Sequence, residues 1–323
     1  MEEISISQLY ARGKENLEKA GYRRAWSPES NLNASIPANR RYLDSLFFVP
    51  KFLDPVDVDT SLTLFGIRLA TPVFASSLSG FHQLGKTALT DIAEGIKKAG
   101  SLMMLGIGGS TELQRAIDTG VPVVKIVKPY RRTELISKKV RDAERRGCVA
   151  VGMDIDHFYG RLAIDKVDRD DMFAPQNTEE LKHLIAQTRL PFIIKGVLSV
   201  ADALRAAEIG ASAIVVSNHG SGAVDFTVPS MMALPKIMES VGGCLTVLID
   251  SGFKTGNDVL KALAFGARAA GFASSLLLAW GAGGSSGVER LINLVTAEVR
   301  RTMAVTGCAN LASIDRSIII EAP

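Results

Sequence analysis

From Pro72 onward the chain repeats one unit eight times: a short apolar run, then in most cases a longer amphipathic stretch. The runs are "PVFASS" (72–77), "SLMMLGI" (101–107), "PVVKIV" (122–127), "CVAVGMD" (148–154), "PFIIKG" (191–196), "SAIVVSN" (212–218), "TVLIDSG" (246–252) and "RAAGFA" (268–273). Most do not alternate polar with apolar residues, so both faces of each strand must be buried, as in a parallel sheet covered by helices. Stretches such as "TELISKKVRDAERRG" and "SVADALRAAEIGA" place Leu, Ile or Ala at steps of three and four, the spacing of a helix with one apolar face. Several open on Thr, Ser or Asn, which cap helices, and close on Gly, which stops them. Eight such units in series need about 250 residues when closed into a ring, and the chain beyond residue 70 has that length. An open doubly wound sheet competes, but "SSLSGFHQLG" lacks its glycine fingerprint. The expectation is an α/β protein, a (β/α)8 TIM barrel over 71–323. A cap segment over 1–70 precedes it: one helix, an extended "SPESNLNASIPANRR" stretch (27–41) and a hairpin around "FGIRL".

Composition narrows the setting. A formal net charge of +3 is too small to argue for nucleic acid or a membrane surface. Cys148, Cys244 and Cys308 are an odd, widely spaced set without zinc spacing, which suggests free thiols in a reducing compartment and no metal site. The N-terminal "MEEISISQLYARGKENLEKAG" lacks the apolar core of a signal peptide, and no apolar run reaches the roughly 20 residues of a membrane span. A cytoplasmic protein with a small-molecule substrate is expected.

In a barrel of this kind the catalytic groups stand at the C-terminal strand ends. Those ends carry Ser76 and Ser77, Gly106, Lys125, Asp154, Lys195, Asn218 with His219, Asp250 with Gly252, and Ala273 with Ser274. Lys125 and Lys195 interrupt apolar runs, where an ammonium is costly unless it meets an anion or acceptor; a lysine extending past the strand end is the plainer reading. Asp154 could orient His219 and stabilise its protonated form. A simple turn at Asn218–Gly220 is the alternative. In "IDSGFKTGNDV", Gly252 and Gly256 permit close backbone approach, and amides there with Lys254 could cradle a phosphate; an ordinary strand-to-helix turn is the alternative.

The series "FIIKGVLSVADALRAAEIGASAIVVSNHG", Asp225 and "VLIDSGFKTGNDVLKALAFGA" resembles the FMN-dependent α-hydroxy acid oxidase and dehydrogenase family. The likeness continues through "GVERLINLVTAEVRRTMAVTGCANLASI" and, more weakly, upstream through "VDVDTSLTLFGIRLATPVFAS" and "AERRGCVAVGMDID". It implies FMN across the barrel mouth. It also implies His219 as the base that takes the α-hydroxyl proton, Asp154 as its carboxylate partner, and Lys195 beside the flavin N1/O2 edge. Arg161 would be a substrate-carboxylate ligand; Asp250, Gly252 and Lys254 would hold the ribityl chain and phosphate. Ser76, Ser77 and Leu78 would face the isoalloxazine, and Lys125, Ala273 and Ser274 would complete the cofactor site. Relatives are commonly tetramers, so a homo-oligomer is expected.

The chain departs from the family at defined positions. Gly222 stands where a second substrate arginine is expected, and Ser274 where a phosphate arginine is expected. The flavin-contacting serine, glutamine and threonine align with Gly106, Lys125 and Gly152, and a strand-three tyrosine with Val127. Tyr22 and Trp26 are the candidates for the N-terminal substrate tyrosine. The lost arginine points away from glycolate or lactate toward a larger or differently charged substrate, its anion read by Lys125 or Arg161. Two other readings stand beside the oxidoreductase: a flavin barrel with non-redox chemistry, like type 2 isopentenyl diphosphate isomerase, and a flavin-poor barrel that only binds a small molecule. The electron acceptor is open between oxygen, quinone, cytochrome and a partner flavoprotein.

Overall fold

The computed structural model describes residues 4–22, 34–53, 55–158, 173–221 and 224–322. Helices α1 (Ile6–Lys19) and α2 (Ser35–Asp44) come first, then strand β1 (Leu46–Phe48) and the hairpin β2 (Leu62–Leu64) with β3 (Ile67–Leu69). The repeat follows: β4 (Val73–Leu78), α3 (Ala88–Lys98), β5 (Met103–Leu105), α4 (Ser110–Asp118), β6 (Val123–Val127), α5 (Thr133–Arg145), β7 (Ala150–Asp154) and α6 (Thr178–Ala186). It continues with β8 (Phe192–Val197), α7 (Val200–Glu208), β9 (Ala213–Val216), α8 (Ser230–Val241), β10 (Thr246–Ile249), α9 (Gly256–Ala264), β11 (Ala269–Phe272) and α10 (Ser274–Thr306). A last strand, β12 (Ile319–Glu321), pairs antiparallel with β1. Strands β4 to β11 pair in sequence order, all parallel, and β11 returns to β4 to close the ring. The expected (β/α)8 barrel is therefore present, and each apolar run supplies one stave.

Successive side chains of a strand point to opposite faces, and the buried residues divide accordingly. Val73, Met103, Val123, Val127, Val151, Ile194 and Val247 join a cluster with helix residues such as Ile92, Ile136 and Val140. Their neighbours Phe74, Met104, Val124, Ile126, Ala150, Ile193, Val215 and Leu248 form a second cluster inside the ring. Leu62, Leu64 and Leu69 of the β2–β3 hairpin belong to that inner cluster and close the end from which the strands start. The hairpin turn at Phe65 and Gly66 has positive φ at both residues, the conformation of a tight two-residue loop. The opposite end, where the strands finish, is left to polar groups.

The cap segment departs from expectation at residues 35–41, expected to be extended, which form most of helix α2. Pro37 sits in the first turn of α2, where a missing N–H costs nothing. The helix start is satisfied from far away: the Asp225 carboxylate accepts from the Ala34 and Ser35 amides, both at 3.0 Å. A cap supplied across roughly 190 residues leaves no local signal. Residues 27–33 lie outside the described residues. No helix of the described residues is long and apolar enough to cross a membrane.

Phe74 fills the ring opposite Gly271, where a Cβ would lie 2.7 Å from the phenyl ring. Phe74→Ala should therefore lower the unfolding free energy by about 3–5 kcal/mol, read from urea denaturation of the two proteins side by side.

Candidate active site

Strand alternation decides which polar residues meet at the open end. Ser76 follows Phe74, Lys128 follows Ile126, Asp154 follows Gly152, Lys195 follows Ile193, Ser217 follows Val215 and Asp250 follows Leu248, each two residues on, so all six point inward. The Lys195 ammonium lies 3.1 Å from Asp250 Oδ2 and 3.8 Å from Asp154 Oδ1, and donates to Ser217 Oγ at 3.0 Å. Lys128 Nζ is 2.6 Å from Asp154 Oδ2. Ser76 donates its hydroxyl hydrogen bond to Asp250.

These charges stabilise one another. Burial disfavours the Lys195 ammonium, but Asp250, Asp154 and Asp156 outweigh it and hold the group above the usual lysine range. Burial would raise the Asp154 carboxyl, yet Lys128, His219 and Lys195 together hold it well below the usual carboxylate range. Asp250 is likewise lowered against its own burial, by Lys195 and by hydroxyls of Ser217 and Ser76.

His219 stands just past β9 with φ of 53°, a left-handed conformation uncommon for a side chain of this size. Its amide donates to Ser217 Oγ at 3.1 Å, so one hydroxyl anchors both His219 and Lys195. The following loop is tied to α2 by a reciprocal amide pair, Asn39 with Asn218, at 3.0 and 3.1 Å. His219 Nδ1 is 3.2 Å from Asp156 Oδ2 and 3.9 Å from Asp154 Oδ1. Its ring packs on that of His157 with centroids 4.4 Å apart. Burial, with the nearby His219 and Lys128 charges, pushes the His157 imidazole down to about 3, so it is neutral at ordinary pH.

The imidazole of His219 and the ammonium of Lys195 thus share one end of the barrel. Three expectations need correction. The carboxylate within hydrogen-bond reach of His219 Nδ1 is Asp156 at 3.2 Å rather than Asp154, which lies 3.9 Å away with its other oxygen on Lys128. Lys125 belongs to the outer face with Val123 and Val127: it is buried beneath α5 and donates to the Gly106 carbonyl, so it is in no position to meet a ligand in the ring. The inward residues at the end of this strand are Ile126 and, just past it, Lys128. Third, the phosphate turn offers fewer amides than the motif suggested. The Lys254 and Thr255 amides donate to Asp258 Oδ2 and the Gly256 amide to Glu298 Oε2. Arg161, Gly222 and Trp26 lie outside the described residues.

What remains open is an amide nest. Gly252, with φ of 90°, and Phe253 at the end of β10 have amides without an acceptor among the described residues, as do Ala273 and Ser274 where α10 begins. Adjacent β10 and β11 set these turns side by side, and Ser275 Oγ donates to the Phe253 carbonyl at 3.4 Å to join them. Ala273, Ser274 and the Lys254 side chain are exposed. This donor set suits a phosphate, and the Lys195 ammonium suits a flavin edge that gains negative charge, so the residues present fit FMN at both poles. Ser77 and Leu78 lie beside Gly106, whose amide donates to the Leu78 carbonyl at 2.8 Å. Gly152 offers no polar group and is packed by Ile126.

Comparison with known proteins agrees. Residues 16–162 and 161–321 match the FMN-dependent dehydrogenase family. The 4-hydroxymandelate oxidase of Amycolatopsis orientalis is 32% identical over 89% of this chain and 90% of its own. Glycolate oxidase of Spinacia oleracea is 26% identical over 99% of this chain and 96% of its own. A mandelate oxidase structure holding 3,3-difluoro-2-hydroxy-3-phenylpropionic acid superposes with a TM-score of 0.90 at 30% identity, covering 99% of each chain. Another, a mandelate oxidase variant with a monooxide FMN adduct, has a TM-score of 0.85 at 32% identity over 95% of this chain and 98% of that one.

Burial, then the Lys139 charge, lowers Lys125 from 10.5 to about 8. Between those values the unfolded chain binds more protons than the folded one, so stability from this group rises with pH across that window and is lost below it. Wild type should gain about 2–3 kcal/mol relative to Lys125→Met between pH 8 and pH 10.5, read from denaturation midpoints of both proteins.

Proposed function

Because the chain belongs to the FMN-dependent dehydrogenase family, we propose that it oxidises a 2-hydroxy acid to the 2-oxo acid, with His219 as base and FMN as acceptor. The observation that carries this reading is the convergence of His219 and Lys195 on the same strand ends through Ser217. FMN, when bound, supplies the two-electron acceptor. An ionised carboxylate can only accept, so His219 Nδ1–H donates to it and Nε2 is left with its lone pair for the α-hydroxyl proton. Lys195 is permanently charged and stabilises negative charge that arrives beside it. Asp250 and Ser76 keep that ammonium in place. The amides of Gly252, Phe253, Ala273 and Ser274, with the Lys254 cation, would hold the cofactor phosphate. Arg161 binds the substrate carboxylate.

The relatives named above act on mandelate-type and glycolate-type acids. Here Gly222 stands where one arginine is expected and Val127 where a tyrosine is expected, and the lost arginine favours a substrate larger than glycolate or differently charged. Three free thiols, Cys244 among them exposed, support a reducing compartment such as the cytoplasm. Exposed Phe47, Phe52, Leu53 and Ile320 support a homo-oligomer.

His219→Ala should retain bound FMN while its reduction by (S)-mandelate under anaerobic conditions falls at least about 100-fold; bleaching of the flavin band at an undiminished rate would reject the base. Lys254→Ala should weaken FMN binding about tenfold in a fluorescence titration of the apoprotein, since it removes one charge-assisted contact to phosphate.

A further inference from the structure

We propose that Asp156 is the carboxylate that orients the base in this chain, and that Lys128 has withdrawn Asp154 from that task. The inference rests on His219 being the base. Three independent features support it. First, the distances rank the partners: Asp156 is within hydrogen-bond reach of His219 Nδ1 at 3.2 Å, whereas Asp154 stands off at 3.9 Å. Second, Asp154 is anchored by Lys128 through its other oxygen, and the Oδ1 that faces the imidazole stops 3.9 Å short of it. Its Oδ2 holds the Lys128 ammonium at 2.6 Å, while its Oδ1, fully buried, accepts no hydrogen bond among the described residues. Third, a place is made for Asp156. Gly196, directly after Lys195, has φ of 98°, and a Cβ there would lie 2.6 Å from Asp156 Cγ and 2.7 Å from its Oδ1. The Asp156 side chain therefore lies flat on bare backbone at the end of β8, with Oδ2 turned to the imidazole.

The remaining ionisable groups that face His219 do not take this part. Lys195 and Asp250 are occupied with each other at 3.1 Å. His157 stacks on the ring and leaves its own Nδ1 without a partner among the described residues. Lys128 repels a protonated imidazole and is itself neutralised by Asp154. Asp156 is thus a positioning residue. It selects the Nδ1–H tautomer that leaves Nε2 free, and it stabilises the imidazolium formed when the proton arrives.

The chain has four histidines, which makes the imidazole resonances tractable by 15N-labelled NMR of the FMN-loaded protein. In wild type, His219 should show one tautomer and a downfield Nδ1 proton. Asp156→Ala should lose that proton signal and populate the second tautomer, and reduction of FMN by (S)-mandelate should fall about 100-fold. Adding Lys128→Met to Asp156→Ala frees Asp154 to turn toward the ring, so the signal and the single tautomer should return. A downfield proton that survives Asp156→Ala overturns the pairing. A double variant that shows no recovery overturns the part given to Lys128. Loss of the signal with undiminished flavin reduction would instead remove His219 as the base and leave the pairing standing.

Discussion

A lysine ammonium held inside a protein ring is tolerable only in the company of anions, and Lys195 sets that requirement for the whole site. It is 2% exposed, at the end of an interior otherwise built from Phe, Met, Leu, Val, Ile and Ala. An isolated charge there would cost far more than folding could supply. Asp250 and Asp154 meet it from two other strands, and Ser217 Oγ accepts a hydrogen bond from it. Those partners then need partners of their own: Ser76 for Asp250 and Lys128 for Asp154. Because Ser217 also accepts from the His219 amide, the network that neutralises the lysine also holds the histidine in its left-handed backbone. The charge that can stabilise reduced flavin and the base that can take a proton are parts of one electrostatic unit.

That unit depends on strand parity. Side chains alternate with period two, so a shift of one residue exchanges the inner and outer faces of a strand. Lys125 and Lys128 show the consequence. Both lie in or beside the same apolar run, but one is sealed beneath a helix, where burial lowers its pKa to about 8, and the other joins the site. Lys128 in turn changes how the neighbouring carboxylates are used, leaving Asp156 beside His219. Within a buried strand, register shows in which residues share a face.

Much was legible in the chain itself. Eight short, mostly apolar runs separated by amphipathic stretches specify a closed parallel ring, because strands buried on both faces need helices around them and a filled interior. The convergence of Ser76, Asp154, Lys195, His219 and Asp250 follows once the ring is granted. Helix α2 was not legible, since its start is capped by Asp225, about 190 residues further along the chain. Nor was the loss of amides at Lys254 and Gly256 to Asp258 and Glu298, although the Thr255 cap that precedes α9 follows an ordinary pattern.

The sequence by itself determined the architecture, the identity of the inward titratable groups on most strands and the family to which they point, because hydrophobic periodicity and residue type are local properties. Tertiary structure decided which carboxylate serves which cation. Asp154 and Asp156 are two residues apart, and nothing in their order separates them. Their roles diverge because Lys128 reaches one from the strand beside it, while the bare backbone of Gly196 seats the other against His219. Electrostatic partnership depends on distances of a few ångströms between different strands, and those distances exist only after the ring has closed.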